Sequence, residues 1–153
     1  VTVAVRNQHP RGAAAAARLR SRARVYLAAL GRDGAELSIL VATDRAVRML
    51  NRRWRGIDRP TDVLSFPATD PPGRGTLLGD LVVSLDTAAR RARGDRSALG
   101  AELDRYLAHG LLHLLGHDHQ RPAEARRMAR AEEALVGAPG LLGPAPGARR
   151  GSR

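Results

Sequence analysis

The sequence predicts an α+β fold in which four short strands pack with about five helices. Three observations lead there. Apolar runs of strand length, bounded by turn residues, alternate with longer helical patterns. Apolar residues make up 43% of the chain but aromatics only 3%, so aliphatic and alanine packing must supply the core. The length of 153 residues suits one domain with one core and is short of two.

The elements follow in order. Val1–Val5 alternates as a strand, and Ala13–Leu30 is an alanine-rich helix with Leu19, Leu27 and Leu30 on one face, stopped by Gly31. Glu36–Ala42 reads as a second strand; Thr43 or Asp44 caps a helix carrying Val47, Met49 and Leu50 to about Trp54. Pro60 can begin but not interrupt a strand, so Thr61–Phe66 is the third, closed by Pro67. The prolines and glycines of Ala68–Gly75 make a loop, and Leu77–Leu85 is a fourth strand with Gly79 as its bulge. Asp86 or Thr87 caps a short arginine-rich helix ending near Gly94. Ser97 caps a helix through Leu115, which Gly116 ends in a left-handed conformation. Pro122 opens a last helix, Ala123–Val136, with Met128 and Leu135 inward and acids and arginines outward. The domain is expected over residues 1–136, and residues 137–153, rich in Gly, Pro, Ala and Arg, are expected to form a disordered basic tail.

Composition narrows the chemistry. Without cysteine there is no disulfide, thiolate ligand or cysteine nucleophile, so any metal must be held by nitrogen and oxygen. No stretch has the length of a membrane span and Val1–Pro10 lacks a signal-like apolar core; the expected location is the cytoplasm, with no membrane partner. The net charge of +11 favours a polyanion as partner, nucleic acid first. The cations are arginine without lysine, which a G- and C-rich coding sequence would also produce, although such a bias leaves the deficit of acids unexplained.

Four of the five histidines lie between His109 and His119. Residues four apart on a helix sit about 40° apart with β-carbons roughly 6 Å from each other, so the imidazoles of His109 and His113 can reach one ion at about 2.0–2.1 Å. Gly116 permits the reversal that brings His119 to the same ion. This H-x3-H-x2-G-x2-H spacing is zincin-like. Three histidines leave a coordination position open, which favours a catalytic zinc, one ion, over a structural one. Surface or hydrogen-bonded core histidines are the blander alternative. His117 could replace His119 as ligand, and Asp118 could be a fourth ligand or hold an imidazole N–H. The leucines at 111, 112, 114 and 115 are core residues, and His9 is expected to be simply exposed.

In zincin peptidases a glutamate follows the first histidine; here that position is Gly110. Ordinary proteolysis thus lacks its base. Phosphodiester chemistry fits better, because a metal can polarise a phosphoryl oxygen while an arginine stabilises the charge that builds up.

The histidine cluster, preceded by Asn51-x-x-Trp54-Arg55, by Pro60-Thr61-Asp62-Val63-Leu64-Ser65-Phe66-Pro67 and by Leu78-Gly79-Asp80, resembles the bacterial YbeY endoribonucleases over about Val1 to Val136. The resemblance implies a compact fold with a small mixed sheet and zinc on His109, His113 and His119. It also implies single-strand-specific cleavage of RNA in small-subunit (16S) rRNA 3′-end maturation and ribosome quality control, with the ribosome and its assembly factors as partners and no DNA. The family's functional arginine maps onto Arg55, which on its own would be read as a solvated surface charge. Arg55 and His109 are accordingly the catalytic candidates. His117 stands where tyrosine is common in the family, and Trp54 where a smaller aromatic is common. Two other readings remain in play: a non-enzymatic ribosome-associated RNA-binding factor braced by zinc, and a zinc peptidase with an acid from elsewhere in the chain.

Overall fold

The computed structural model describes residues 2–68, 76–117 and 120–138. Their order is β1 (Thr2–Asn7), α1 (Ala13–Ala29), β2 (Glu36–Ala42), α2 (Asp44–Arg55), β3 (Val63–Pro67), β4 (Leu77–Ser84), α3 (Leu85–Ala92), α4 (Arg96–Leu114) and α5 (Pro122–Val136). The strands form one mixed sheet in the order β1-β2-β4-β3, with β1, β2 and β4 parallel and β3 antiparallel at one edge. The expected α+β fold, with four strands and five helices, is the one found. Val1, residues 69–75 of the expected loop and residues 139–153 of the expected tail lie outside the described residues.

Strand alternation divides the apolar residues between two faces. Val3, Leu37, Ile39, Val41, Leu81 and Val83 join the main core with Leu19, Tyr26 and Leu27 of α1 and Leu103, Leu107, Leu111 and Leu112 of α4. The alternate residues Ala42 and Val82, with Leu64 of β3, form a second, smaller cluster with Val47 of α2. One face is therefore covered by most of the helices and the other only partly, by α2. Of the α2 apolar residues, Val47 is buried but Met49 is 63% exposed, because the helix is amphipathic over a narrow strip.

Helix α1 starts at Ala13 and α2 is capped by Thr43 as expected, whereas the starts of α3 and α4 differ from expectation in a consistent way. α3 is capped by Ser84, whose hydroxyl accepts from Thr87 N–H at 3.2 Å, rather than by Asp86 or Thr87. α4 is capped by Asp95, which accepts from Ser97 and Ala98, rather than by Ser97. In each case the acceptor sits two or three residues before the donor it satisfies, and the competing residues lie within the first turn. Asp86 and Thr87 serve a polar junction instead. Asp44 accepts from Ser84 Oγ at 2.5 Å and Thr87 Oγ1 at 2.7 Å and pairs with Arg90, while Asp86 accepts from the Asp44 N–H at 2.8 Å. His9 belongs to this junction too: its side chain is only 10% exposed and lies 2.7 Å from Asp86, so it is a paired residue and not an exposed one.

Candidate metal and nucleic-acid site

The helix α4 positions His109 and His113 as the spacing predicts, with their rings edge to face at 4.5 Å and their Nε2 atoms 3.0 Å apart. Two nitrogens bound tetrahedrally to one ion at about 2.0–2.1 Å would stand ~3.3–3.4 Å apart, so this pair needs to open by only a few tenths of an ångström. The helix then ends as expected. Gly116 has φ +96, its N–H donates to His113 O, and the His117 N–H donates to Leu112 O at 2.9 Å, which is the hydrogen-bond pair of a Schellman turn. His119, the third expected ligand, and Asp118 lie outside the described residues. Among the described residues no group of three metal-capable side chains assembles.

The acids of α5 are expected to face outward, but Glu132 turns inward, on the stripe of Met128 and Leu135. The Glu132 carboxyl oxygen makes a very short contact with His109 Nδ1. With the carboxylate accepting the Nδ1 proton, the lone pair of His109 is left on Nε2, the atom that faces His113. The signal was present in the sequence: positions 128, 132 and 135 form one helical stripe, and Met128 and Leu135 on that stripe are buried. An acid on the inward stripe of a helix requires a partner, and here the partner is a histidine ring.

His109 and Glu132 line a cleft of about 290 Å³ with Asp62, Arg91, Arg105 and Tyr106. Asp62 begins β3 by accepting the Val63 N–H at 2.7 Å through its side chain, and its other oxygen pairs with Arg91 at 3.2 Å. Arg91 also donates to Tyr106 Oη at 3.2 Å. Burial, reinforced by Glu102, outweighs Arg91 and pushes the Tyr106 phenol up to about 12. Tyr106 is therefore a proton-bearing group at neutral pH.

The absent zincin glutamate has a steric counterpart. Gly110 is buried where α4 crosses the sheet, and a Cβ there would lie 2.8 Å from Leu81 Cδ2 and 3.3 Å from Val63 Cγ2. The glycine permits this close approach, and its carbonyl faces Ser65 Oγ of β3 at 3.4 Å.

Arg55 lies across β3 from this helix. The Asn51 motif explains its placement: Asn51 is buried and donates from Nδ2 to Arg59 O at 2.9 Å, while Gly56, at φ +71, turns the chain after α2. Arg55, exposed, donates to Ser65 O at 2.9 Å and lies 5.9 Å from the centre of the Phe66 ring. The same edge strand thus touches Arg55 through the Ser65 carbonyl and α4 through the Ser65 hydroxyl.

Residues 7–139 match the family description Endoribonuclease YbeY. A protein of that name from Anaeromyxobacter sp. (strain Fw109-5) is 68% identical over 145 residues, covering 95% of this chain and 76% of the relative. One from Anaeromyxobacter dehalogenans (strain 2CP-C) is 65% identical over 143 residues, covering 94% and 74%. A solution structure from Thermotoga maritima shares the fold at a TM-score of 0.61 and 23% identity, covering 88% of this chain and 87% of that one. Sequence and fold agree, and the chain belongs to the YbeY endoribonuclease family.

Proposed function

We propose that this protein is a zinc-dependent, single-strand-specific endoribonuclease that works in the cytoplasm on small-subunit rRNA, in 3′-end maturation and ribosome quality control. Its RNA substrate follows from family membership. The observation that carries the metal assignment is the pair of Nε2 atoms at 3.0 Å, one of them backed through Nδ1 by Glu132. An all-nitrogen donor set suits zinc. His109, His113 and His119 would hold one ion, which when bound would polarise a phosphoryl oxygen or activate the attacking hydroxyl.

The chain's own residues do the rest. Glu132 fixes the His109 tautomer and ring direction. Arg55, tethered to Ser65 O, keeps N–H groups for a phosphate oxygen and stabilises the negative charge that grows on phosphorus. Arg91, which donates to Asp62 and to Tyr106 Oη from Nη1, can donate further hydrogen bonds into the cleft beside His109.

Metal analysis of the purified protein, combined with cleavage of a single-stranded RNA, tests this reading. His113→Ala should lose metal and activity together, whereas Arg55→Ala should keep the metal and lose turnover. Full activity after complete removal of metal by a chelator would refute the role of zinc. Cleavage of casein but not RNA would favour the peptidase, and intact RNA with fully metallated protein would favour the non-enzymatic factor.

A further inference from the structure

The partly covered face of the sheet holds a second cavity of about 430 Å³, within the ~300–1,000 Å³ range of ligand sites. Leu40, Leu50, Phe66 and Val82 form its apolar surface, and Trp54 forms a wall. Trp54 is 62% exposed, although it is the one tryptophan of a chain with very few aromatics. It stands edge to face with Phe66, ring centres 6.5 Å apart. Arg53 lies 5.3 Å from the Trp54 ring centre and Arg55 5.9 Å from that of Phe66. Arg52, Arg53, Arg55 and Arg59, all exposed, crowd the end of α2 and the turn after it, and Arg6 borders the cavity.

We propose that this groove is the platform on which single-stranded RNA stacks its bases while α2 arginines hold the phosphates, a reading that rests on the RNA substrate argued above. Aromatic faces interleaved with arginines are what an unpaired strand requires: each base has a π-face to offer, and each phosphate a charge. A duplex hides those faces. The acid Asp80, also at the cavity, repels a phosphate but can accept from a base amino group, so the orientation is bases in and backbone out. Arg55 belongs to both halves of the arrangement. It lies over Phe66 and donates to Ser65 O, and the Ser65 hydroxyl faces the Gly110 carbonyl beside His109. A strand stacked on Trp54 and Phe66 therefore runs to the edge strand next to the histidine helix.

The single tryptophan makes the test direct. The full chain as purified is titrated with a fluorescein-labelled, single-stranded oligoadenylate carrying 2′-O-methyl groups; anisotropy follows binding and tryptophan emission follows stacking. Emission should be quenched in step with anisotropy. An abasic phosphodiester strand should bind without quenching. Trp54→Ala should weaken the oligoadenylate about 5- to 150-fold, the range for loss of one base–aromatic stack, and Trp54→Phe should recover most of that loss. Tight binding with unchanged emission and an unaltered affinity for Trp54→Ala would overturn the platform, leave the RNA reading standing and assign the groove to another occupant. Failure of the wild type to bind the strand at all would overturn the RNA reading and the platform with it.

Discussion

Replacing Gly79 by alanine should cost far more than replacing any other glycine of positive φ that stands in open space. Gly79 adopts φ +142, where a side chain is strained by roughly 1–3 kcal/mol. A Cβ there would also lie 2.3 Å from Phe66 O and 3.0 Å from Ala68 N, both backbone atoms of β3 and its continuation, and 3.0 Å from Leu114 Cδ2 of α4. Backbone cannot rotate away as a side-chain tip can, so the strands must part, adding about 1–3 kcal/mol or more of overpacking. The total is ~2–6 kcal/mol, or roughly 4–24 °C in melting temperature for a chain of this size. Gly31→Ala is the control, since Gly31 has φ +69 with nothing within 4 Å of its Cβ, and should lose only about 1–2 kcal/mol. Urea unfolding of both variants reads the difference. If Gly79→Ala were no less stable than Gly31→Ala, the close approach of Gly79 to the β3 backbone and to Leu114 of α4 would be wrong.

Further outcomes follow from the same contacts. Glu132→Gln should lower zinc affinity about 10- to 100-fold while leaving the fold intact, read by competition with a chromogenic chelator; unchanged affinity would remove Glu132 from the site. Although burial opposes ionisation of Asp44, hydrogen bonds from Ser84, Arg90 and Thr87 together with the Arg90 charge outweigh it and hold the carboxyl below its ordinary range. Asp86 is likewise held low, burial being outweighed by the Asp44 N–H and His9. A folded pKa below the unfolded one stabilises the protein above about pH 4 and is lost as pH falls toward the folded value. Asp44→Asn should therefore be less stable at neutral pH and show a shallower decline on acidification, and parallel urea-midpoint curves for wild type and variant would contradict this. RNA affinity should fall steeply with salt as arginine–phosphate contacts release counterions, whereas a flat response would argue against the arginines as the RNA surface.

Much of this was legible because it is local. The His109/His113 pair follows from the pitch of one helix, the Schellman turn from one glycine, and the strands and helices from periodicity and turn residues. The caps of α3 and α4 are not legible in the sequence, because Ser84 and Asp95 compete with other capping residues a few positions away and three-dimensional acceptor direction decides among them. The pairing of His9 is not legible in the sequence because its partner Asp86 is 77 positions away.

Read alone, the sequence determined the α+β class, the two helical histidines that face each other and, through its separate motifs, the family. Tertiary structure decided what those residues meet: Glu132 against His109, Leu81 against Gly110, Ser65 between Arg55 and α4, and an aromatic groove left open beside α2. The physical reason is range. Helix pitch and turn geometry act over a few residues and are written in the spacing, whereas packing joins side chains whose separation along the chain carries no record of their contact.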